Sequence, residues 1–288
     1  MIPAQFDYLA PKTLDEAVSL LGQHGDAAKI LAGGHSLIPA MKLRLAQPQA
    51  LIDIGHIKDL SYVREEGGQI QIGATTTHYQ IESSARLREI CPLLPEAAST
   101  IGDVQVRNKG TIGGSLAHSD PAADWPAVIL ALHAEIVAAS SKGERTIKAD
   151  DFFLDLMTTA LEPGEILREI RIPAPAGRFG QAYKKVAQPA SGFAVVGVAV
   201  SLALDGKGGC ESAGIGITGV ASKAYRPAAV EKALIGSSLD QAAVAAAAAH
   251  AADGVDVNGD LFASDEYRRH LASVYTARAI AEAAAHAK

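Results

Sequence analysis

The alternation of apolar and polar positions divides the chain into short, mixed elements. Leu14, Val18 and Leu21 recur at helical spacing behind Thr13-Leu14-Asp15-Glu16, which reads as a capping box with Thr13 as N-cap, and Gly22 and Gly25 end the pattern. The apolar run Ile30-Leu31-Ala32 stops at Gly33-Gly34, and Ala50-Leu51-Ile52-Asp53-Ile54 reads as a buried strand. Residues 62–66 and 69–74 flank Gly67-Gly68, a hairpin signal. Helices are predicted over residues 92–100, with Pro92 near the start, and over 121–134. Residues 136–139 and 145–148 read as strands about the turn Ser141-Lys142-Gly143, and residues 165–172 alternate as a strand does.

Pro173-Ala174-Pro175-Ala176-Gly177 is the strongest linker signal and sets the expected domain boundary. Beyond it, residues 181–186, 194–204 and 210–220 are predicted strands, and 227–235, 240–252 and 264–287 predicted helices. Ser264 is the expected N-cap of the last, with Tyr267, Leu271, Val274 and Arg278 on one face. Elements segregated in this way predict an α+β chain rather than a doubly wound sheet.

Composition narrows the function. A chain of 288 residues suggests two domains. With 48% hydrophobic and 20% charged residues it is neither disordered nor collagen-like. A net charge of −6 disfavours a general nucleic-acid binder. Cys91 and Cys210 are too few for an iron–sulfur cluster and lack the Cys-x-x-Cys spacing of a structural zinc site. The N-terminus lacks the charged and apolar blocks of a secretory signal, and the apolar run 193–204 is too short to span a bilayer. A cytoplasmic protein without a transmembrane segment is expected.

Two glycine pairs carry the candidate chemistry. Ala32-Gly33-Gly34-His35-Ser36 follows a short strand, and Thr111-Ile112-Gly113-Gly114-Ser115 follows the polar Arg107-Asn108-Lys109-Gly110. Glycine permits positive φ and close approach of the backbone, and successive amides form a nest for an anion such as a pyrophosphate. Amides of Gly33, Gly34, Gly113 and Gly114 are expected to reach that anion, with Ser36, Thr111 and Ser115 adding hydroxyls. Neither pair fits the three-glycine dinucleotide fingerprint or the P-loop, which disfavours a nicotinamide Rossmann domain and an ATPase. A lone Gly-Gly pair is ordinarily a turn.

Ala32-Gly33-Gly34-His35-Ser36-Leu37-Ile38-Pro39 resembles the first flavin-binding motif of the FAD-containing medium subunits of carbon monoxide dehydrogenase-type molybdenum hydroxylases, within the wider xanthine dehydrogenase family. Thr111-Ile112-Gly113-Gly114-Ser115 resembles the second motif, at matching separation. The resemblance runs along essentially the whole chain, from Phe6-Asp7-Tyr8 through Leu161-Glu162-Pro163-Gly164 to Glu266-Tyr267-Arg268. It implies a two-lobed FAD-binding domain of the vanillyl-alcohol oxidase type over residues 1–177, with lobes of about 1–56 and 57–177, and a smaller α+β domain of the carbon monoxide dehydrogenase flavoprotein type over 178–288. It also implies noncovalent FAD with its pyrophosphate between the two motifs. Substrate oxidation would occur at molybdopterin in a separate large subunit. A small subunit with two [2Fe–2S] clusters would pass electrons to the FAD, which reduces an external acceptor, within a dimer of heterotrimers.

The resemblance implies a cofactor-binding role for Ala32, Gly33, Gly34, His35, Ser36 and Leu37 and for Thr111, Ile112, Gly113, Gly114 and Ser115. It places Ile101 beside the cofactor, Asp124 as a carboxylate contacting FAD, Leu161 near the flavin ring, Lys185 (with Lys184 as competitor) as a basic neighbour, and Phe193 over one ring face. Read from the residues alone, Asp124 is a first-turn helix acid, Leu161 is core, either lysine is a solvated strand residue and Phe193 opens an apolar strand. His35 and His118 lie beside the motifs in sequence, and a neutral imidazole there can donate to phosphate or flavin. No histidine pair has metal-ligand spacing with a carboxylate, so no metal site is expected, and no catalytic side chain is implied beyond the flavin. The chain departs from the family in Ser115, where asparagine is usual, and in Gly192-Phe193, where an aspartate–aromatic pair is usual. Leu116-Ala117-His118-Ser119-Asp120-Pro121 is closer to relatives that oxidise aldehydes or N-heterocycles than to those acting on carbon monoxide. Two rival readings are a self-contained FAD oxidoreductase, for which no substrate residues are found, and a flavin-less assembly module, against which the intact glycines argue.

Overall fold

The computed structural model describes residues 1–287. The chain opens with β1 (Asp7–Leu9), α1 (Leu14–His24), β2 (Ala28–Leu31), α2 (Leu37–Lys42) and β3 (Ala50–Asp53). The three strands form a parallel sheet in the order β1-β3-β2. Thr13 Oγ1 accepts the Glu16 amide as expected, but the Glu16 carboxylate accepts from the amide of Lys12, one residue before the N-cap. Gly22 stays inside α1, and Gly25, at φ +53°, ends it. Ala17, Val18 and Leu21 pack with Ile52, Ile54 and Leu60 in the first of three cores.

The middle of the chain forms β4 (Val63–Glu66) and β5 (Gln69–Gly73), then five short helices: α3 (His78–Glu82), α4 (Ala85–Ile90), α5 (Leu93–Ser99), α6 (Val104–Lys109) and α7 (Ile112–His118). Of these, the sequence pattern predicts only α5. The others are too short to display a periodic stripe, and side-chain N-caps at Thr77, Ser84, Asp103 and Thr111 start them instead. After them come α8 (Asp124–Ala131), β6 (Glu135–Ser140), β7 (Gly143–Lys148), α9 (Ala149–Phe152), the small hairpin β8 (Phe153–Asp155) with β9 (Thr158–Thr159), and β10 (Ile166–Pro173). The order β4-β5-β10-β6-β7 makes an antiparallel sheet, and Ile70, Ile72, Trp125, Ile136, Phe152 and Ile170 are among the side chains of the second core.

Beyond residue 177, β11 (Arg178–Ala187), β12 (Ala194–Leu204) and β13 (Cys210–Thr218) form an antiparallel sheet in chain order. α10 (Ala228–Leu234), α11 (Gln241–Ala248) and α12 (Asp265–His286) cover it and enclose the third core. The buried face of α12 is Leu271, Ala272, Ala279, Ile280 and Ala283, not the predicted stripe through Tyr267 and Arg278. Alanine wins there because α12 lies hard on β11: a Cβ at Gly180 would strike the Ala283 carbonyl.

Helix α8 packs against β12 and β13 as well as against its own core. Gly214 and Gly216 open the way, since a Cβ at either would collide with the carbonyls of Ala131 and Ala127. The extended segment before α8 is tied to the same sheet: Ala194 donates to Ala122 O (3.0 Å) and Gly219 to Pro121 O (2.7 Å).

Candidate functional site

β2 delivers Ala32-Gly33-Gly34-His35-Ser36 at the carboxyl end of the parallel sheet, the position where open α/β sheets bind ligands. Gly34 sits at φ +76°, a conformation that favours glycine. The amides of Gly33, Gly34, His35, Ser36 and Leu37 have no hydrogen-bond partner among the described residues, and Ile38 is the first to donate back, to Gly34 O at 3.1 Å. Ser36 is the N-cap of α2 but its hydroxyl makes no capping bond, and it is exposed with His35. Five successive free amides form an anion-binding concavity.

The second motif is not a loop. Thr111 caps α7, and Ile112, Gly113 and Gly114 are its first turn. Their amides are engaged: Ile112 donates to Thr76 O (3.1 Å), Gly113 to Ala74 O (2.9 Å) and Gly114 to Thr111 Oγ1 (3.1 Å). Ser115 donates to Thr111 O (3.0 Å) as an ordinary helix bond. The amides of Gly113 and Gly114 thus already have protein partners, and the two glycines also leave this wall without bulk. A Cβ at Gly113 would stand 2.6 Å from Ala74 Cβ, and one at Gly114 2.8 Å from Thr111 Oγ1 and 3.7 Å from Ala32 Cβ. A Cβ at Gly33 would stand 2.8 Å from Gly110 Cα and strike the Lys109 carbonyl. The first motif thus meets, backbone to backbone, the Lys109-Gly110 segment that leads into the second.

A second group of residues gathers at the other end of α6, roughly 9 Å along a six-residue helix. Lys185 Nζ donates to Asp124 Oδ2 (2.9 Å) and to Thr100 O (3.1 Å), and Tyr183 OH donates to Asp124 Oδ1 (2.6 Å). Both charged side chains are 5% exposed. Burial pushes the Asp124 carboxyl up, against the opposing pull of Lys185 and Tyr183, and burial beside Asp124 pushes the Tyr183 phenol well above its ordinary value. Lys185 points inward to Asp124, whereas Lys184 pairs with Glu282 of α12 at 2.5 Å. Strand alternation puts Tyr183 on the face of Lys185, a signal present in the sequence but unread there.

Thr100 leads into Ile101 and Gly102, and this turn is held by Arg107, which donates to Ile101 O (3.1 Å) and Gly102 O (3.3 Å) while paired to Glu82 (2.7 Å). A Cβ at Gly192 would lie 3.6 Å from Gly102 Cα, so the segment before Phe193 rests on the same turn. Gln188 closes that segment by accepting from Gly192 through its carbonyl (2.8 Å) and from Ser191 through its side chain (2.6 Å). Phe193 is 44% exposed and β12 begins only at Ala194, so Phe193 is not the core residue that its apolar neighbours suggest. Ile101 and Leu161 are half-buried on the second core, Leu161 just beyond β9, which packs on α7.

His118 lies in the last turn of α7, at the end opposite Gly113 and Gly114. A different histidine, His78, sits under the second motif: the residue is 5% exposed, and Trp125 Nε1 donates to its Nδ1 at 3.0 Å. The capping pattern Thr77-His78-Tyr79-Gln80 marks its position in the sequence. Among the described residues there is no grouping of three or more metal-ligating side chains and no helix long and apolar enough to cross a membrane. Cys91 and Cys210 are both buried free thiols.

A dinucleotide with a doubly anionic pyrophosphate and a flat heterocycle fits what is present. The free amides supply anion donors, the glycine contact keeps the cradle unfilled, and Ile101, Phe193 and the Lys185 ammonium supply apolar and cationic surroundings at the other end. The family described as the FAD binding domain in molybdopterin dehydrogenase matches residues 4–175, and the carbon monoxide dehydrogenase flavoprotein C-terminal domain matches 181–283. The chain is 44% identical over 280 residues to the carbon monoxide dehydrogenase medium chain of Hydrogenophaga pseudoflava, covering 97% of each. A solved structure of carbon monoxide dehydrogenase from that organism, lacking the Mo-pyranopterin moiety, matches with a TM-score of 0.97 over 100% of both chains at 45% identity. The glyceraldehyde dehydrogenase medium chain of Sulfolobus acidocaldarius is 37% identical, covering 99% of this chain and 100% of its own. Quinoline 2-oxidoreductase from Pseudomonas putida 86 matches with a TM-score of 0.92 at 33% identity, over 99% of each chain.

Proposed function

Because the chain belongs to the family of FAD-binding medium subunits of molybdopterin dehydrogenases, we propose that its first glycine motif seats the FAD pyrophosphate while the Ile101–Lys185–Phe193 end receives the isoalloxazine ring. The protein is the FAD-carrying subunit of a molybdenum hydroxylase complex. A large molybdopterin subunit oxidises the substrate, and the [2Fe–2S] clusters of a small subunit pass electrons to this FAD. The flavin supplies chemistry that no side chain here supplies, taking electrons singly or in pairs. The protein's own residues bind, orient and shield it.

In this reading Gly33, Gly34, His35, Ser36 and Leu37 donate amides to the pyrophosphate, and Ser36 adds its hydroxyl. Ala32, Thr111, Ile112, Gly113, Gly114 and Ser115 form the wall that lets it lie close. Asp124 is the carboxylate that contacts FAD, and it also holds Lys185, whose ammonium sets a positive charge beside the flavin. Ile101 and Leu161 give apolar support, and Phe193 covers a ring face. Residues 1–177 form a two-lobed domain of the vanillyl-alcohol oxidase type and 178–288 a smaller domain, in a dimer of heterotrimers that delivers electrons to an external acceptor. The named relatives act on carbon monoxide, glyceraldehyde and quinoline; the stretch Leu116-Ala117-His118-Ser119-Asp120-Pro121, beside the departures at Ser115 and Gly192-Phe193, favours an aldehyde or N-heterocycle here.

The observation that carries the proposal is the run of five free amides packed against the glycines of α6–α7. Gly34→Val and Gly114→Val each yield a folded protein without FAD, read by flavin absorbance against protein. Normal flavin content in both variants refutes the assignment. The isolated chain holds FAD but is not reduced by the complex's organic substrate; bleaching of its flavin by that substrate, with no other subunit present, overturns the division of labour.

A further inference from the structure

We propose that His78 is an additional ligand of the bound cofactor, donating its Nε2–H to a pyrophosphate oxygen from beneath the junction of the two glycine motifs. The proposal rests on the FAD reading above and adds a residue that lies outside both motifs.

The backbone first fixes where the ring stands. Residues 74–78 run alongside 110–113, with Gly113 donating to Ala74 O, Ile112 to Thr76 O and His78 to Gly110 O (2.9, 3.1 and 3.0 Å). A reciprocal capping box between Thr77 and Gln80 starts α3 at His78, so the ring leaves the chain at a defined point.

The ring's protonation follows from its neighbours. Trp125 is fully buried and its indole N–H is a donor only, so Nδ1 of His78, 3.0 Å away, must accept. Burial, reinforced by the neighbouring His35 and Arg107, presses the imidazole down to about 4. A neutral ring whose Nδ1 accepts carries its proton on Nε2. That N–H has no partner among the described residues, and the residue as a whole is 5% exposed. Nε2 is not one of the wholly enclosed unpaired polar atoms, which are Thr75 Oγ1, Arg268 Nε and Thr276 Oγ1, so its N–H stays open to an acceptor that approaches from outside.

The geometry says where that acceptor lies. A Cβ at Gly110 would stand 2.6 Å from Nε2, and Gly110 Cα is in turn the atom that a Cβ at Gly33 would meet at 2.8 Å. Gly110 therefore separates the imidazole from the first motif, and it carries no side chain to block the approach. An anionic oxygen seated on the free amides of residues 33–37 is the acceptor that this donor matches. A neutral imidazole suits the task, since above about pH 4 it stays uncharged and keeps its proton on Nε2. The competing account is a core histidine whose only duty is to accept from Trp125.

The test uses the full chain stripped of flavin, with FAD and ADP as probes, the latter carrying a pyrophosphate without the flavin. His78→Phe keeps a planar ring and removes the donor; it weakens both FAD and ADP about 10- to 100-fold, the scale of one hydrogen bond to a charged group. His78→Gln, which returns an N–H near the place of Nε2, recovers most of that loss. In wild-type protein labelled with 15N-histidine, the His78 Nε2–H resonance moves when ADP is added. Unchanged affinity for both probes in His78→Phe overturns the proposal, as does weakened FAD with unchanged ADP, which places the contact on the flavin. Should His78→Phe not fold, an Nε2–H resonance indifferent to ADP overturns it alone. Wild-type protein that binds neither probe refutes the FAD reading itself, a separate failure.

Discussion

Gly33→Ala asks whether the first glycine motif must touch the segment that leads into the second. The added Cβ would stand 2.8 Å from Gly110 Cα and 2.9 Å from the Lys109 carbonyl carbon, where ordinary contact begins at 3.4 Å. Both obstacles are backbone, so no side chain can swing aside. The loops must part by more than the 0.6 Å that separates 2.8 from 3.4 Å, because the Lys109 carbonyl oxygen stands closer still. Overpacking of this kind costs about 1–3 kcal/mol in stability. The larger effect falls on the anion. Moving an amide by that amount stretches a hydrogen bond of about 2.9 Å to the edge of what counts as one. Loss of two amide–phosphate bonds at about 1.5–3 kcal/mol each weakens FAD by about 3–6 kcal/mol, roughly a hundred- to ten-thousand-fold. The assay is the flavin-to-protein absorbance ratio after gel filtration at low concentration, with a thermal melt beside it. Gly206→Ala serves as control, because a Cβ there meets nothing within 4 Å. Gly33→Ala protein with full flavin occupancy and an unchanged melting midpoint refutes the claim that the contact shapes the cradle.

Three other outcomes follow from the same geometry. Asp124→Asn and Lys185→Met each destabilise by about 3–5 kcal/mol in urea melts, and the double variant costs less than their sum; strict additivity shows that the two charges are not coupled. His78 makes stability depend on pH in a definite sense: its folded value of about 4 lies below the ordinary 6.5, so between those values the unfolded chain binds a proton that the folded one refuses. Stability therefore falls as pH drops from 6.5 to 4, by up to about 3 kcal/mol, and this part of the slope vanishes in His78→Phe; an identical slope in the variant assigns it elsewhere. Phe193→Ala in the intact complex keeps its flavin and its melting midpoint but reoxidises at a different rate in stopped-flow, whereas unchanged reduction and reoxidation remove Phe193 from the ring face.

The sequence announces some of this architecture and conceals the rest, for reasons particular to each element. β12, with its run of small and branched apolar residues, and α12, with its Ser264 cap, are readable because length and pattern agree. α3, α6 and α7 are not, because five to seven residues complete fewer than two turns, and their polar faces read as loop. That is why the second motif looks like a twin of the first although its amides are taken by Ala74, Thr76 and the Thr111 cap. Asp124 alone reads as a first-turn acid; its meaning comes from Lys185, brought to it by the approach of β11, which no local window contains. His78 escapes notice for a related reason, since what matters is the indole of a residue 47 positions away.

The ion pair between α8 and β11 also has a consequence for how the protein is made. Its carboxylate is synthesised 61 residues before its lysine, which at about 5–20 residues per second leaves Asp124 without its counter-charge for several seconds on the ribosome, before exit-tunnel delay. During that interval the nascent first 177 residues already contain both glycine motifs, yet α8 still lacks the strands that Gly214 and Gly216 bring against it. The contacts that complete α8 therefore form last: a chain that ends before Lys185 holds both glycine motifs but leaves Asp124 unpaired and the face of α8 that meets β12 and β13 uncovered.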